Sequence, residues 1–157
     1  MQAATKITLG GAPEGFDASL LARELQRGVP VIHIARDDKR LEAMRVAIAA
    51  LAPGLTVLDL PAWDCLPYDR VSPNPDISAR RMATLAALAE GIDGPFVLLS
   101  TLNAATQRIA ARDVLRASSF RADVGSRVNE QALKGFLSRM GFSPTSTVTE
   151  PGDYAIR

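Results

Sequence analysis

One cysteine, one histidine and one tryptophan are all that this chain of 157 residues carries of those three types. Cys65 has no second thiol to pair with, which rules out an internal disulfide and suits a reducing compartment. His33 and Cys65 are too few to build a zinc-type site, which takes several nitrogen or sulfur ligands. The carboxylates are not clustered for magnesium, so no metal and no cofactor are expected. An excess of charge is missing too: 18 Lys and Arg against 17 Asp and Glu leave a formal +1, too little for a field that holds nucleic acid without specificity. No apolar run reaches the roughly 20 residues that cross a bilayer, and "MQAATKITLGG" lacks the pattern of a signal peptide. The expectation is a cytoplasmic protein with no membrane partner.

What is present is the composition of a folded domain, 47% hydrophobic and 22% charged, at a length that fits one domain or one domain and the start of another. "KITL" (6–9) reads as a short strand running into a glycine-rich loop, and "ASLLARELQRG" as a helix with Leu20, Leu21 and Leu25 on one face. "PVIHIA" (30–35) is a buried strand. "DDKRLEAMRVAIAALAPG" is an amphipathic helix that sends Leu41, Met44, Ile48 and Leu51 to the core, and "LTVLDL" (55–60) is a third strand. After the proline-broken loop 61–75 come a helix over 76–90, the apolar strand "GPFVLLS", and a helix over "TLNAATQRIAAR". This alternation predicts an α/β fold, a parallel sheet flanked by helices, over 1–117.

Residues 118–157 change character and read as the start of a second, α+β subdomain, left incomplete. "SSFRADVGSRV" is a weak strand, "NEQALKGFLSRMG" a helix with Asn129 as N-cap and Leu133, Phe136, Leu137 and Met140 on one face, and "TSTVTEPGDYAIR" a hairpin that is cut off. The chain stops in mid-strand, as a piece of a longer protein would.

"GGAPEGFD" (10–17) has the glycine spacing of a phosphate-binding P-loop, G-x-x-x-x-G-K-[ST], in Gly10 and Gly15, but Phe16 replaces the lysine and Asp17 the magnesium-binding hydroxyl. Phe16 supplies no charge for outer phosphates. Asp17 repels them, and as an N-cap it satisfies the helix amides that would cradle them. No acidic pair ends the later strand, where Ser100 and Thr101 stand, so nucleotide hydrolysis is not expected and no residue is assigned to catalysis. The alternatives are an ordinary strand-to-helix turn and a loop that binds nucleotide without lysine.

"LPAWDCLPYDRVSPNPDISARRMATL" is the most distinctive stretch. Trp63 and Tyr68 offer faces for stacking bases, but their neighbours are Asp64, Asp69 and the lone cation Arg70, so packing of the rings over the sheet's edge competes with single-strand binding. Arg80 and Arg81 read as a pair on the helix surface, with Asp76 four residues before Arg80. His33 reads as a core or edge histidine, and Cys65 lacks the cationic setting of a catalytic thiolate.

Trp63, Asp64, Leu66, Pro67, Tyr68, Asp69, Ser72, Pro73 and Arg81, followed in "EPGDYAIR" by Gly152, Asp153, Tyr154, Ala155 and Arg157, resemble two blocks of the N-terminal region of bacterial transcription-repair coupling factors. The resemblance implies a degenerate P-loop NTPase-like domain of UvrB type over 1–117, with a truncated UvrA-binding subdomain over 118–157. It implies a noncatalytic module that helps recruit the damage-recognition protein UvrA to stalled RNA polymerase, with Arg157 as the partner-binding residue. Other parts of the full-length chain are implied as further partners. The ATP-driven translocase, and the contacts to RNA polymerase and DNA, would lie outside this chain.

Overall fold

The computed structural model describes residues 6–13, 15–66, 70–150 and 152–156, and the chain divides into two compact units between Ala110 and Ala111. In the first unit the elements follow as α1 (Phe16–Gln26), β1 (Val31–Ala35), α2 (Asp38–Leu51), β2 (Thr56–Leu60), α3 (Pro75–Glu90), β3 (Phe96–Thr101) and α4 (Leu102–Thr106). The sheet has the order β1-β3-β2 with both pairings parallel, Val31 opposite Val97 and Thr56 opposite Phe96. The expected fold class, a parallel sheet flanked by helices, is the one found. No helix among the described residues is long and apolar enough to cross a membrane.

The sequence of β3 explains its central place. "FVLLST" is apolar without alternation, as a strand covered on both faces must be, and all of it after Phe96 is buried. Val97 and Leu99 join Ala18 and Leu25 of α1, Ala35 of β1, and Leu41, Met44 and Ile48 of α2 in one core. On the opposite parity of β3 lie Leu98 and Ser100, also buried, and α3 packs along β2 with Leu85 and Ala89 buried. Side-chain caps start the helices: Asp37 accepts from the Arg40 amide for α2, and Asn74 from the Asp76 amide for α3, whose first residue is Pro75.

Several expectations are corrected. Residues 6–9 form no strand, and Ile7 and Leu9 are exposed, because no strand among the described residues takes up their backbone groups. Leu51, in the last turn of α2, is half exposed rather than in the core. The helix expected over 101–112 is broken: α4 stops at Thr106, and Gln107 adopts extended backbone.

In the second unit, α5 (Arg112–Ala117) precedes α6 (Glu130–Arg139), with no strand over 118–128. Asn129 caps α6 by accepting from the Ala132 amide at 3.0 Å. Gly141, at φ 83°, ends it in a Schellman turn, with Phe142 donating to the Leu137 carbonyl. Phe136 packs on Phe120 at 5.4 Å between ring centroids. The expected hairpin is instead a short parallel pair, β4 (Ser143–Pro144) with β5 (Asp153–Tyr154). The intervening loop is drawn round by the Asp153 carboxylate, which accepts from the amides of Thr149 and Glu150. That wide turn lets the two strands run the same way.

Leu99 has no exposed surface and lies in the core on the central strand, between β1 and β2, so Leu99→Ala should lower the unfolding free energy by about 2–5 kcal/mol, and Val46→Ala on the exposed side of α2 by under about 0.5. Urea titration of the two variants checks the difference, and equal losses would contradict this placement of the core.

Candidate functional site

Two stretches drew attention in the sequence, and the structure treats them differently. The glycine-rich loop leads into α1 without a strand before it. Gly15, at φ 83°, is the N-cap and makes no side-chain bond. Its left-handed backbone is what requires glycine, since nothing stands within 4 Å of a Cβ added at Gly10, Gly11 or Gly15. Asp17 is therefore the second residue of the helix and not its cap, which corrects the expectation. Its Oδ1 still accepts from the Ala18 amide at 3.0 Å, and Arg40 Nη2 of α2 lies 3.6 Å from its Oδ2. A carboxylate of the protein itself thus occupies the helix N-terminus, and Phe16 beside it is 42% exposed.

His33 of β1 lines a small cleft with Asp17 and Arg40. Burial holds its imidazole below the ordinary range; Asp17 pulls the pKa back up and Arg40 pushes it down. The unfolded chain therefore takes up this proton more readily than the folded one. Stability from this source is full above the ordinary value of about 6.5 and is lost as the pH falls through it. His33→Gln should flatten the fall in urea midpoint between about pH 7.5 and about pH 5.5. An identical fall in variant and parent would show that His33 carries none of it.

The loop after β2 is where the distinctive residues converge. Three successive carbonyls at the end of β2 each accept from a side chain: Asp59 from Thr84 Oγ1 at 2.6 Å, Leu60 from Ser100 Oγ at 3.0 Å, and Pro61 from Arg81 Nη1. Arg81 is not on the surface, as its neighbour Arg80 is; it is 1% exposed. Its guanidinium carbon lies 4.6 Å from the Trp63 ring centroid, within the reach of a cation–π contact. Burial lowers its pKa, though an arginine so placed keeps its charge. Among the described residues its Nε has no hydrogen-bond partner.

The expected pairing of Arg80 with Asp76 is also replaced: Arg80 Nη1 donates to Asp59 Oδ2 at 2.8 Å. Asp59 keeps a raised pKa because burial outweighs that partner.

The rest of the loop is tied down at two points. The Trp63 amide donates to Gln107 Oε1 at 3.0 Å, at the residue where α4 has just ended. Asp64 accepts the Asn74 amide through both oxygens, at 3.2 and 3.3 Å. Trp63, Asp64 and Arg81, three of the motif residues, are thereby brought into one cluster. Pro67, Tyr68 and Asp69 lie outside the described residues, as does Arg157. Cys65 is a free, half-buried thiol. Arg81 was missed as a buried residue, yet a signal existed: it stands four residues after Ile77 and four before Leu85, on the inward stripe of α3.

These features define an α/β protein with a parallel sheet and a tied loop at the carboxyl ends of its strands. No family model matches the chain. The chain is 31% identical over 141 residues to the transcription-repair-coupling factor of Escherichia coli (strain K12), covering 89% of this chain and 12% of that protein. It is 30% identical over 157 residues to that of Myxococcus xanthus, covering 95% and 13%. For Haemophilus influenzae the figures are 26% over 150 residues, 95% and 13%. The resemblance carried by the motif residues therefore holds: nearly the whole chain is similar to bacterial transcription-repair-coupling factors, while spanning only 12–13% of their length.

Arg80 and Arg81 are adjacent in sequence and opposite in setting. Arg81→Ala should cost about 2–4 kcal/mol, by leaving the Pro61 carbonyl without its donor and a cavity against the Trp63 ring, and Arg80→Ala no more than about 1 kcal/mol. Urea midpoints of the two variants distinguish them; similar losses would refute the buried role of Arg81.

Proposed function

We propose that this chain is a noncatalytic module of a transcription-repair coupling factor, one that brings UvrA to stalled RNA polymerase so that damage in a transcribed strand is excised. The observation that carries the noncatalytic part is the Asp17 carboxylate at the start of α1, bonded to the Ala18 amide with Arg40 beside it. A triphosphate placed there would meet a negative charge and an amide already engaged, with Phe16 in place of a lysine. The similarity to coupling factors over some nine-tenths of the chain supports the repair context.

In this reading the first unit is a degenerate relative of a UvrB-type nucleotide-binding domain that is kept as a scaffold. The second unit contributes to the UvrA-binding surface, with Arg157 as a bidentate partner for a carboxylate. Translocation on DNA and contact with RNA polymerase belong to other parts of the full-length protein, and this module also meets those parts.

Two measurements test the reading. ATP with magnesium should leave the melting temperature of the chain unchanged, since only a ligand of the folded state raises it. In the full-length parent protein, Arg157→Ala should reduce capture of UvrA by about tenfold. Stabilisation by ATP would overturn the noncatalytic reading, and undiminished capture would remove Arg157 from the surface.

A further inference from the structure

A cleft of about 700 Å³ opens beside the tied loop, at the carboxyl ends of β2 and β3. In open parallel sheets that end is where ligands settle, and the volume lies within the range of sites that enclose a small molecule or a few peptide side chains. One wall is apolar and comes from the loop: Trp63, Cys65, Leu66 and Pro73, with Leu66 73% exposed. The opposite wall comes from α4 and the residues after it, with Asn103, Gln107 and Arg108.

The polar groups of the cleft divide into engaged and unengaged ones. Asp64 lines it too, but both oxygens accept the Asn74 amide, and Gln107 Oε1 accepts the Trp63 amide. Arg108 is exposed and makes no ion pair or hydrogen bond among the described residues, and the side-chain amide of Asn103 makes none. The cleft thus offers an apolar wall held rigid by the ties on Trp63, facing a free guanidinium and a free carboxamide. That pairing fits a bulky apolar side chain next to a carboxylate. A nucleic-acid strand fits poorly, because successive phosphates would meet one cation and the Asp64 charge.

We infer that this cleft is a docking site for a peptide segment carrying a bulky apolar residue next to a single acidic one, the apolar side chain against Trp63, Leu66 and Pro73 and the carboxylate on Arg108. The residues that line the site all belong to the first unit.

The chain carries its own reporters, since Trp63 is its only tryptophan and Cys65 its only cysteine. The probe is the synthetic peptide acetyl-Gly-Leu-Phe-Glu-amide, compared with acetyl-Gly-Leu-Phe-Lys-amide, acetyl-Gly-Gly-Ser-Glu-amide and a single-stranded oligothymidine. The acidic apolar peptide should change Trp63 emission saturably and, at saturation, slow iodoacetamide alkylation of Cys65 by about tenfold or more, because occupancy excludes the reagent. Arg108→Glu, at an exposed and unpaired position that the fold does not need, should weaken that peptide by about tenfold or more and let the lysine peptide bind instead. Four results would each overturn the inference: no binding of the acidic apolar peptide, equal binding of all three peptides, binding indifferent to Arg108→Glu, or preferential binding of oligothymidine.

Discussion

A guanidinium is expensive to take out of water, by several kcal/mol even after relaxation, and Arg81 is out of water almost completely. It is tolerable there because the Pro61 carbonyl accepts from Nη1 and the electron-rich face of Trp63 lies against the cation. The Nε without a partner among the described residues is the part of the cost left uncompensated. The consequence is structural. One side chain of α3 fixes both the last turn of chain after β2 and the ring that begins the long loop, so helix, strand end and loop form a single cluster. Thr84 and Ser100 complete it by holding the two carbonyls before Pro61.

That cluster accounts for the oddity of the motif. A loop of 14 residues between β2 and α3, rich in proline, is long for a connection inside a compact domain. It is tied at Trp63 through Gln107 and at Asp64 through Asn74, the residue that also caps α3. The proline content limits what the unfolded loop can sample, and the ties limit what the folded loop can do. Trp63 is therefore committed to packing on Arg81, and the cleft it helps to line is a preformed one. At the other conspicuous stretch the Asp17 carboxylate stands at the start of α1 and accepts from the Ala18 amide. The open cleft of the first unit lies at the carboxyl ends of β2 and β3.

The sheet was legible because its signals are local and redundant. β1, β2 and β3 are short apolar runs bounded by Gly, Pro or Asp, and α2, α3 and α6 carry both a 3.6-residue stripe and a side-chain cap. What could not be read depends on partners distant in sequence. "KITL" has the look of a strand, but a strand exists only where another accepts its hydrogen bonds. The helix after β3 ends at Thr106, just before Gln107, whose side chain accepts from the Trp63 amide 44 residues away in sequence. Asp153 turns a would-be hairpin into a parallel pair through two amides that no propensity announces. Arg81 was hidden by its charge: its place on the stripe of α3 was visible, but the expectation that arginine faces solvent prevailed over the spacing.

Arg81 is the anchor of the loop, and amide hydrogen exchange tests this directly. In Arg81→Met, which keeps the stem and removes the guanidinium, the Trp63 and Asn74 amides should exchange about tenfold faster or more, while the Leu99 amide in the central strand keeps its protection. Unchanged protection at Trp63 and Asn74 would contradict the account, for it would mean that the loop holds its place without the buried cation.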